Sequence, residues 1–264
     1  MAKPATVTEE IVMYNGEVKV VFYPNSHRYK VNGESVKSVT GVLGIINKPF
    51  LIQWAVNLAK GYLLSLLTEK RTISERDVLE ACGLYDQVRN DATDVGHTIH
   101  EWCERFVKNK MAGGSEILEA PDNEQAMNGV QGFMNWYNAH KVEFLASEKM
   151  VYSRKNNYVG TYDTGFVMDG KKILGDFKSS KAIYAEAILQ MIAYVMAHEE
   201  EYGETYDGVM VLRFDKETGA FDTFQLMKTD ALYQACEQAF LGAVHLQKTH
   251  STAEKLLKDR EKQE

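Results

Sequence analysis

Hydrophobic and polar positions change period twice between residues 158 and 199. From Tyr158 to Met168, aromatic, β-branched and small residues alternate, which favours a strand. Met168-Asp169-Gly170-Lys171 supplies an Asp-Gly hairpin turn, and residues 172–178 form the returning strand. Side chains alternate across a strand, so Asp176 and Lys178 share one face and Phe177 takes the other. The turn carries Asp163 toward the far end of the second strand, close to Asp176. A helix over 182–199 follows and is apolar almost all round, which predicts burial. Its polar exceptions, Glu186, Gln190, Tyr194 and His198, fall at i, i+4, i+8 and i+12 and make one stripe, expected to face a cleft.

The rest of the chain divides the same way. Residues 16–23 and 27–31 read as a hairpin around Pro24-Asn25-Ser26, and Asn32-Gly33 marks another turn. Ser38 or Thr40 caps a short helix through Ile46. Pro49 opens a helix to about Leu67 that includes Trp54. Ser74 caps a helix over 75–82, which Gly83 ends. A helix over 85–109 has Val95, Ile99, Trp102, Cys103 and Phe106 as its apolar face, with His100 at the edge. Pro121 starts a helix through about His140, and Phe144 to Ser153 is a strand. Strands at 206–214 and 220–227 precede an amphipathic helix over 229–249. Residues 1–10 are expected to be loose and the charge-rich tail from Ala253 to be frayed. This order predicts one α/β domain over residues 1–264. It comprises a β and helical embellishment over 1–90, a core with the site over 91–227, and a C-terminal helix and tail over 228–264.

The hairpin carries the chemistry. Two nearby carboxylates repel each other, and a divalent cation removes the penalty. Hard oxygen ligands with open positions suit Mg²⁺ or Mn²⁺. Lys178 is a poor metal ligand but can polarise a water or neutralise a phosphate. Asp163, Asp176 and Lys178 together suit metal-assisted attack of water on a phosphodiester. Arg154, in a polar turn ahead of the hairpin, could meet a phosphate.

Composition narrows the setting. At 264 residues, 45% hydrophobic and 25% charged, the chain has the make-up of a soluble globular protein. No stretch is expected to approach the ~20 apolar residues of a membrane span, and no signal peptide is evident, so the cytoplasm is expected (a host cell's, if the chain is phage-encoded). Cys82, Cys103 and Cys236 are scattered, which argues against a disulfide framework and against an iron–sulfur cluster, which needs four cysteines. The net charge of −7 weighs mildly against tight non-specific nucleic-acid binding, although a local positive patch would suffice.

Three segments carry a resemblance: Gly160-Thr161-Tyr162-Asp163, Gly175-Asp176-Phe177-Lys178-Ser179-Ser180, and Gln190 with Tyr194. In this order they resemble the G-x-x-D, G-D-x-K-[ST] and Q-x-x-x-Y motifs of RecB-like nucleases, within the PD-(D/E)XK superfamily. Gly96 and His100 are similar to that branch's G-x-x-x-H helix, whose histidine ligates the metal; His97 is the alternate. The resemblance implies a restriction-endonuclease-like core, a mixed central sheet flanked by helices, with an N-terminal β-hairpin and helical embellishment. It implies metal ligation by His100, Asp163, Asp176 and the Phe177 carbonyl, with Lys178 orienting or deprotonating a water. Glu148 matches a family glutamate that joins the acidic cluster or holds Lys178. Gln190 and Tyr194 would line a nucleic-acid channel or brace Lys178, and Ser179, Ser180 and Lys181 would dock phosphates. The segment from the first hairpin through SVTGVLG to QWAVNLA resembles phage exonuclease-like proteins and the mitochondrial genome maintenance exonuclease. The implied activity is exonucleolytic cleavage of DNA, with single-stranded ends favoured, in replication, recombination or repair. The alternatives are a double-strand exonuclease of the phage recombination type and a non-catalytic DNA-binding subunit. No G-x-x-x-x-G-K-[ST] motif is present, so unwinding would fall to a separate helicase; a polymerase or recombination protein is a further conceivable partner.

Overall fold

The protein is described by a computed structural model covering residues 8–262. Its nine strands are β1 Glu9–Met13, β2 Val18–Tyr23, β3 Arg28–Val31, β4 Glu34–Ser38, β5 Val142–Ser153, β6 Tyr158–Met168, β7 Lys171–Lys178, β8 Gly208–Phe214 and β9 Phe221–Met227. Among the described residues the six α-helices are α1 Val39–Leu43, α2 Pro49–Thr68, α3 Glu75–Met111, α4 Glu124–Ala139, α5 Ala185–Tyr202 and α6 Ala231–Glu261. The strands join in one mixed sheet, ordered β1-β2-β3-β4-β6-β7-β8-β9, with β5 paired to β6. β6 and β7 turn through Asp169 and Gly170, with φ of 50° and 72°, the left-handed pair that a two-residue hairpin needs. α5 crosses over to place β8 parallel to β7, as a parallel connection requires.

Helices cover both faces. α3 and α4 bury Ile99, Cys103, Phe133 and Trp136 against Phe166, Ile173, Phe177 and Leu212. On the other face α1, α5 and α6 pack Val39, Met191, Tyr194 and Phe240 against Tyr158, Tyr162, Leu174 and Val211. Phe133 and Trp136 are fully buried, and truncating either to alanine would cost about 3–5 kcal/mol. The N-terminal strands form a third cluster with Met150, Tyr152 and Val159. The mixed sheet flanked by helices, with strands ahead of it, is the expected α/β class.

Several boundaries differ. Gly83 does not end a helix: α3 is continuous from Glu75, started by a Ser74–Asp77 capping box. A single exposed glycine costs a helix only about 1 kcal/mol, and α2 packs alongside, with Trp54 edge-on to Tyr85. Asn123 caps α4 with its side chain on the Ala126 N–H, so the helix begins after Pro121. Residues 253–261 continue α6 instead of fraying. Glu9 and Glu10 belong to β1, while residues 1–7 and 263–264 of the expected loose ends lie outside the described residues.

α2 corrects another expectation. It is long and apolar enough, by length and composition, to cross a membrane, with Lys60 as its one charge. Polar Gln53, Asn57 and Ser65 break up the run and hide it from a count of consecutive apolar residues. Phe50, Ile52, Val56, Leu64 and Leu67 all remain exposed.

Candidate metal centre at a fork in the sheet

β6 changes partners along one edge. Tyr158 and Val159 pair with β4, whereas Thr164 through Met168 pair with β7. Residues 160–163 fall in the fork between. There Asp163 Oδ2 accepts the Phe177 backbone N–H at 2.6 Å, so a side chain replaces the next rung of the ladder. The N–H and C=O of one strand residue point to the same side, which turns the Phe177 carbonyl toward the fork as well.

On the other edge of β6, β5 pairs along its length apart from a bulge at Leu145 and a gap where Glu148 passes Asp163. Glu148 has φ 44°, an uncommon left-handed value inside a strand. His100 arrives from α3, its Nδ1 3.5 Å from Asp163 Oδ2 and its ring edge-on to Phe177. One donor atom each from His100, Glu148 and Asp163 lie within 4.8 Å of one another. Burial, then the charges of Asp163 and Glu104, push the Glu148 carboxyl up to about 8.

Asp176 is not in that three-donor set. Alternation from Leu174 puts it on the α5 side, and its Oδ2 lies 2.5 Å from Lys178 Nζ. Asp176 is 1% exposed, and this Oδ2 has no well-directed hydrogen bond. Burial pushes Asp176 up to about 6 despite the pull of Lys178. Burial alone would lower Lys178, but Asp176 and Asp163 outweigh it and raise the ammonium above its ordinary value. The donor set suits a hard divalent cation: two carboxylates and an imidazole converge, a third carboxylate oxygen is buried without a directed partner, and burial together with repulsion holds one carboxyl up.

Packing explains the glycines of the sequence pattern. A Cβ at Gly160 would lie 2.4 Å from Tyr194 Cε1, and one at Gly96 would lie 3.2 Å from Ser179 Oγ. Both glycines let a helix approach the centre closely. Gln190 Nε2 donates to Tyr194 Oη at 2.7 Å, and Tyr194 is buried beside both aspartates, its hydroxyl pushed well up by burial first and their charges second. Ser180 Oγ donates to the Ala182 carbonyl at 2.7 Å within its own exposed loop. Lys181 lines a groove beyond it.

Arg154 does not join this group. It pairs with Glu17 at 2.7 Å and sits 4.1 Å from the Tyr14 ring centroid, past the far end of β5. Six strand residues from Glu148 span about 20 Å, so the phosphate contact expected of it has no place at the centre. Exposed His97 also lies outside the donor set. Sequence reasoning missed Arg213. It is the β8 neighbour of Lys178, donates to the Ser180 carbonyl at 3.4 Å, and pairs with Asp215 at 3.2 Å. A lone arginine in the apolar run Val209–Phe214 was the available signal.

No family model matches the chain, and no curated protein matches it. Among solved structures, it is similar to an alkaline exonuclease from Laribacter hongkongensis, with 10% identity and a TM-score of 0.35. The match covers 60% of this chain and 82% of that one.

Proposed function

We propose that this chain is a Mg²⁺- or Mn²⁺-dependent deoxyribonuclease that hydrolyses phosphodiester bonds from strand ends, with single strands as the favoured substrate. One observation carries the reading: His100, Glu148 and Asp163 offer donors within 4.8 Å of one another, beside the Asp176–Lys178 ion pair. His100, Asp163 and Glu148 would hold the cation, with Asp176 and the Phe177 carbonyl next to them. When bound, the cation supplies charge neutralisation at the phosphate and a more acidic water.

The remaining work falls to the protein. Asp176 keeps Lys178 protonated, so Lys178 acts as a cation that orients the attacking water or steadies the phosphate, and not as a resting base. The Phe177 N–H fixes the Asp163 carboxylate before any substrate arrives, which is pre-organisation. Tyr194 and Gln190 brace the α5 side. The preference for single strands rests on the resemblance of the segment from SVTGVLG to QWAVNLA. Action at ends and a role in replication, recombination or repair rest on the wider resemblance of the three motifs to RecB-like nucleases.

The test is degradation of DNA labelled at the 5′ or 3′ end, single- and double-stranded, with Mg²⁺, Mn²⁺ or EDTA. Loss of label in either metal but not in EDTA, abolished by Lys178→Ala and Asp176→Asn, supports the reading. Binding without cleavage in every metal would overturn it.

A further inference from the structure

Phe50, in the first turn of α2, and Tyr184, the N-cap of α5, stack with their rings 9° from parallel and centroids 6.3 Å apart. They are 53% and 45% exposed. A neighbouring ion pair, Lys48–Glu186 at 3.2 Å, ties the same two helices together. Tyr184 also lines the groove formed with Lys181, Ile183, Ile188, Arg213, Phe224 and Asp222, whose carboxylate lies 3.9 Å from Arg213 Nε. Lys181 is exposed and has no ion pair among the described residues. The groove leads from the loop that follows Lys178, and Arg213 fixes that loop through the Ser180 carbonyl.

We infer that the Phe50–Tyr184 shelf and the Lys181 groove form a subsite for an unpaired nucleobase and its phosphate, on the strand that reaches the metal centre. This rests on the nuclease reading and deepens it. Two exposed, pre-aligned rings offer a stacking platform, and stacking accepts any base because every base has a π-face. A base inside a duplex has no free face to offer, so the subsite selects single strands. The Lys181 ammonium complements the phosphate charge, and continuity with the Lys178 loop makes nucleic acid a better fit than an apolar peptide. Arg213, already neutralised by Asp215, is a positioning residue here.

The experiment reads binding without cleavage. A fluorescent single-stranded DNA 12-mer and its abasic counterpart are titrated in Ca²⁺ against wild type, Phe50→Ala/Tyr184→Ala and Phe50→Trp/Tyr184→Trp. Wild type should bind the normal strand about 10-fold more tightly than the abasic one, the scale of stacking one base. The double alanine variant should lose most of that preference, and the tryptophan pair should keep it. Equal binding of the two strands by wild type, or an undiminished preference in the alanine variant, overturns the subsite. If the double variant melts early, Phe50→Ala alone carries the comparison. Failure of the nuclease reading would appear separately, as intact DNA in Mg²⁺ and Mn²⁺.

Discussion

The Asp163 carboxylate accepts the backbone N–H of Phe177 across the fork between β6 and β7. One side chain therefore does two jobs: it closes the sheet where its ladder stops, and it faces His100. The jobs separate by mutation. Asp163→Asn retains an acceptor for Phe177 and should lose at least ~100-fold in metal-dependent cleavage with little change in melting temperature. Asp163→Ala should be equally inactive and also cost about 1–3 kcal/mol, from the unpaired N–H. Cleavage kinetics with urea melts check both, and near-normal turnover in Asp163→Asn would falsify the proposed role.

Asp176 should make the metal-free protein less stable as pH rises. Its folded value, about 6, stands above its ordinary 3.8, so the folded state keeps a proton that the unfolded state releases. The stability is complete below about pH 4 and is lost as pH climbs through 6, by an amount on the order of 3 kcal/mol. In EDTA, Asp176→Asn should therefore gain on wild type between pH 4 and 6 while being inactive with metal. A constant difference across that window would show that the carboxyl titrates normally.

A cation bound only by the folded state must raise its stability, by about 2.7 kcal/mol at a hundred times Kd. Mn²⁺ or Mg²⁺ should raise the melting temperature of wild type, and His100→Ala or Glu148→Gln should need much more metal for the same rise. A melting curve indifferent to millimolar metal would leave the three donors without a ligand.

His198 gives the opposite pH dependence. It is 3% exposed, 3.3 Å from Tyr162 Oη and packed against Tyr202 and Tyr206. Burial first, then the charge of Lys149, lowers it to about 4 from 6.5. The folded state stays neutral while the unfolded state takes up a proton, so stability present above pH 6.5 falls toward pH 4, by up to about 3 kcal/mol. His198→Gln should flatten that acid limb in chemical denaturation at pH 7.5 and 4.5. An identical limb in both proteins would place the acid sensitivity elsewhere.

Gly160→Ala forces a methyl group against the Tyr194 ring, 2.4 Å from Cε1. Overpacking should cost about 1–3 kcal/mol and shift the Tyr194–Gln190 pair. Tyr194→Phe leaves the ring in place and should not relieve the clash in the double variant; Tyr194→Leu should relieve part of it. Thermal melts of the two double variants decide the matter.

The hairpin was legible because its signal is local: alternation, an Asp-Gly turn and a glycine-aspartate-lysine run lie within about twenty residues. The partnership of Asp176 with Lys178 followed from strand parity alone. Three things were not readable. Glu148's left-handed backbone sits where the β5–β6 pairing is interrupted opposite Asp163, a tertiary feature that no propensity encodes. Arg154 looked suited to phosphate because its partner Glu17 is far away in sequence, in the N-terminal hairpins. α3's continuity through Gly83 depends on α2 packing beside it, a tertiary effect that overrides a local breaker. The exposed apolar length of α2 was missed for a plainer reason: scattered polar residues interrupt the run without making the helix polar.

Asp163, Asp176 and Lys178 come from one hairpin, with Asp163 and Phe177 only 14 positions apart, and Glu148 comes from the strand just before it. His100 arrives on a separate helix from much earlier in the chain. A partly folded molecule could therefore assemble the carboxylates while still lacking the imidazole. Completion of the proposed three-donor set therefore waits on the docking of α3.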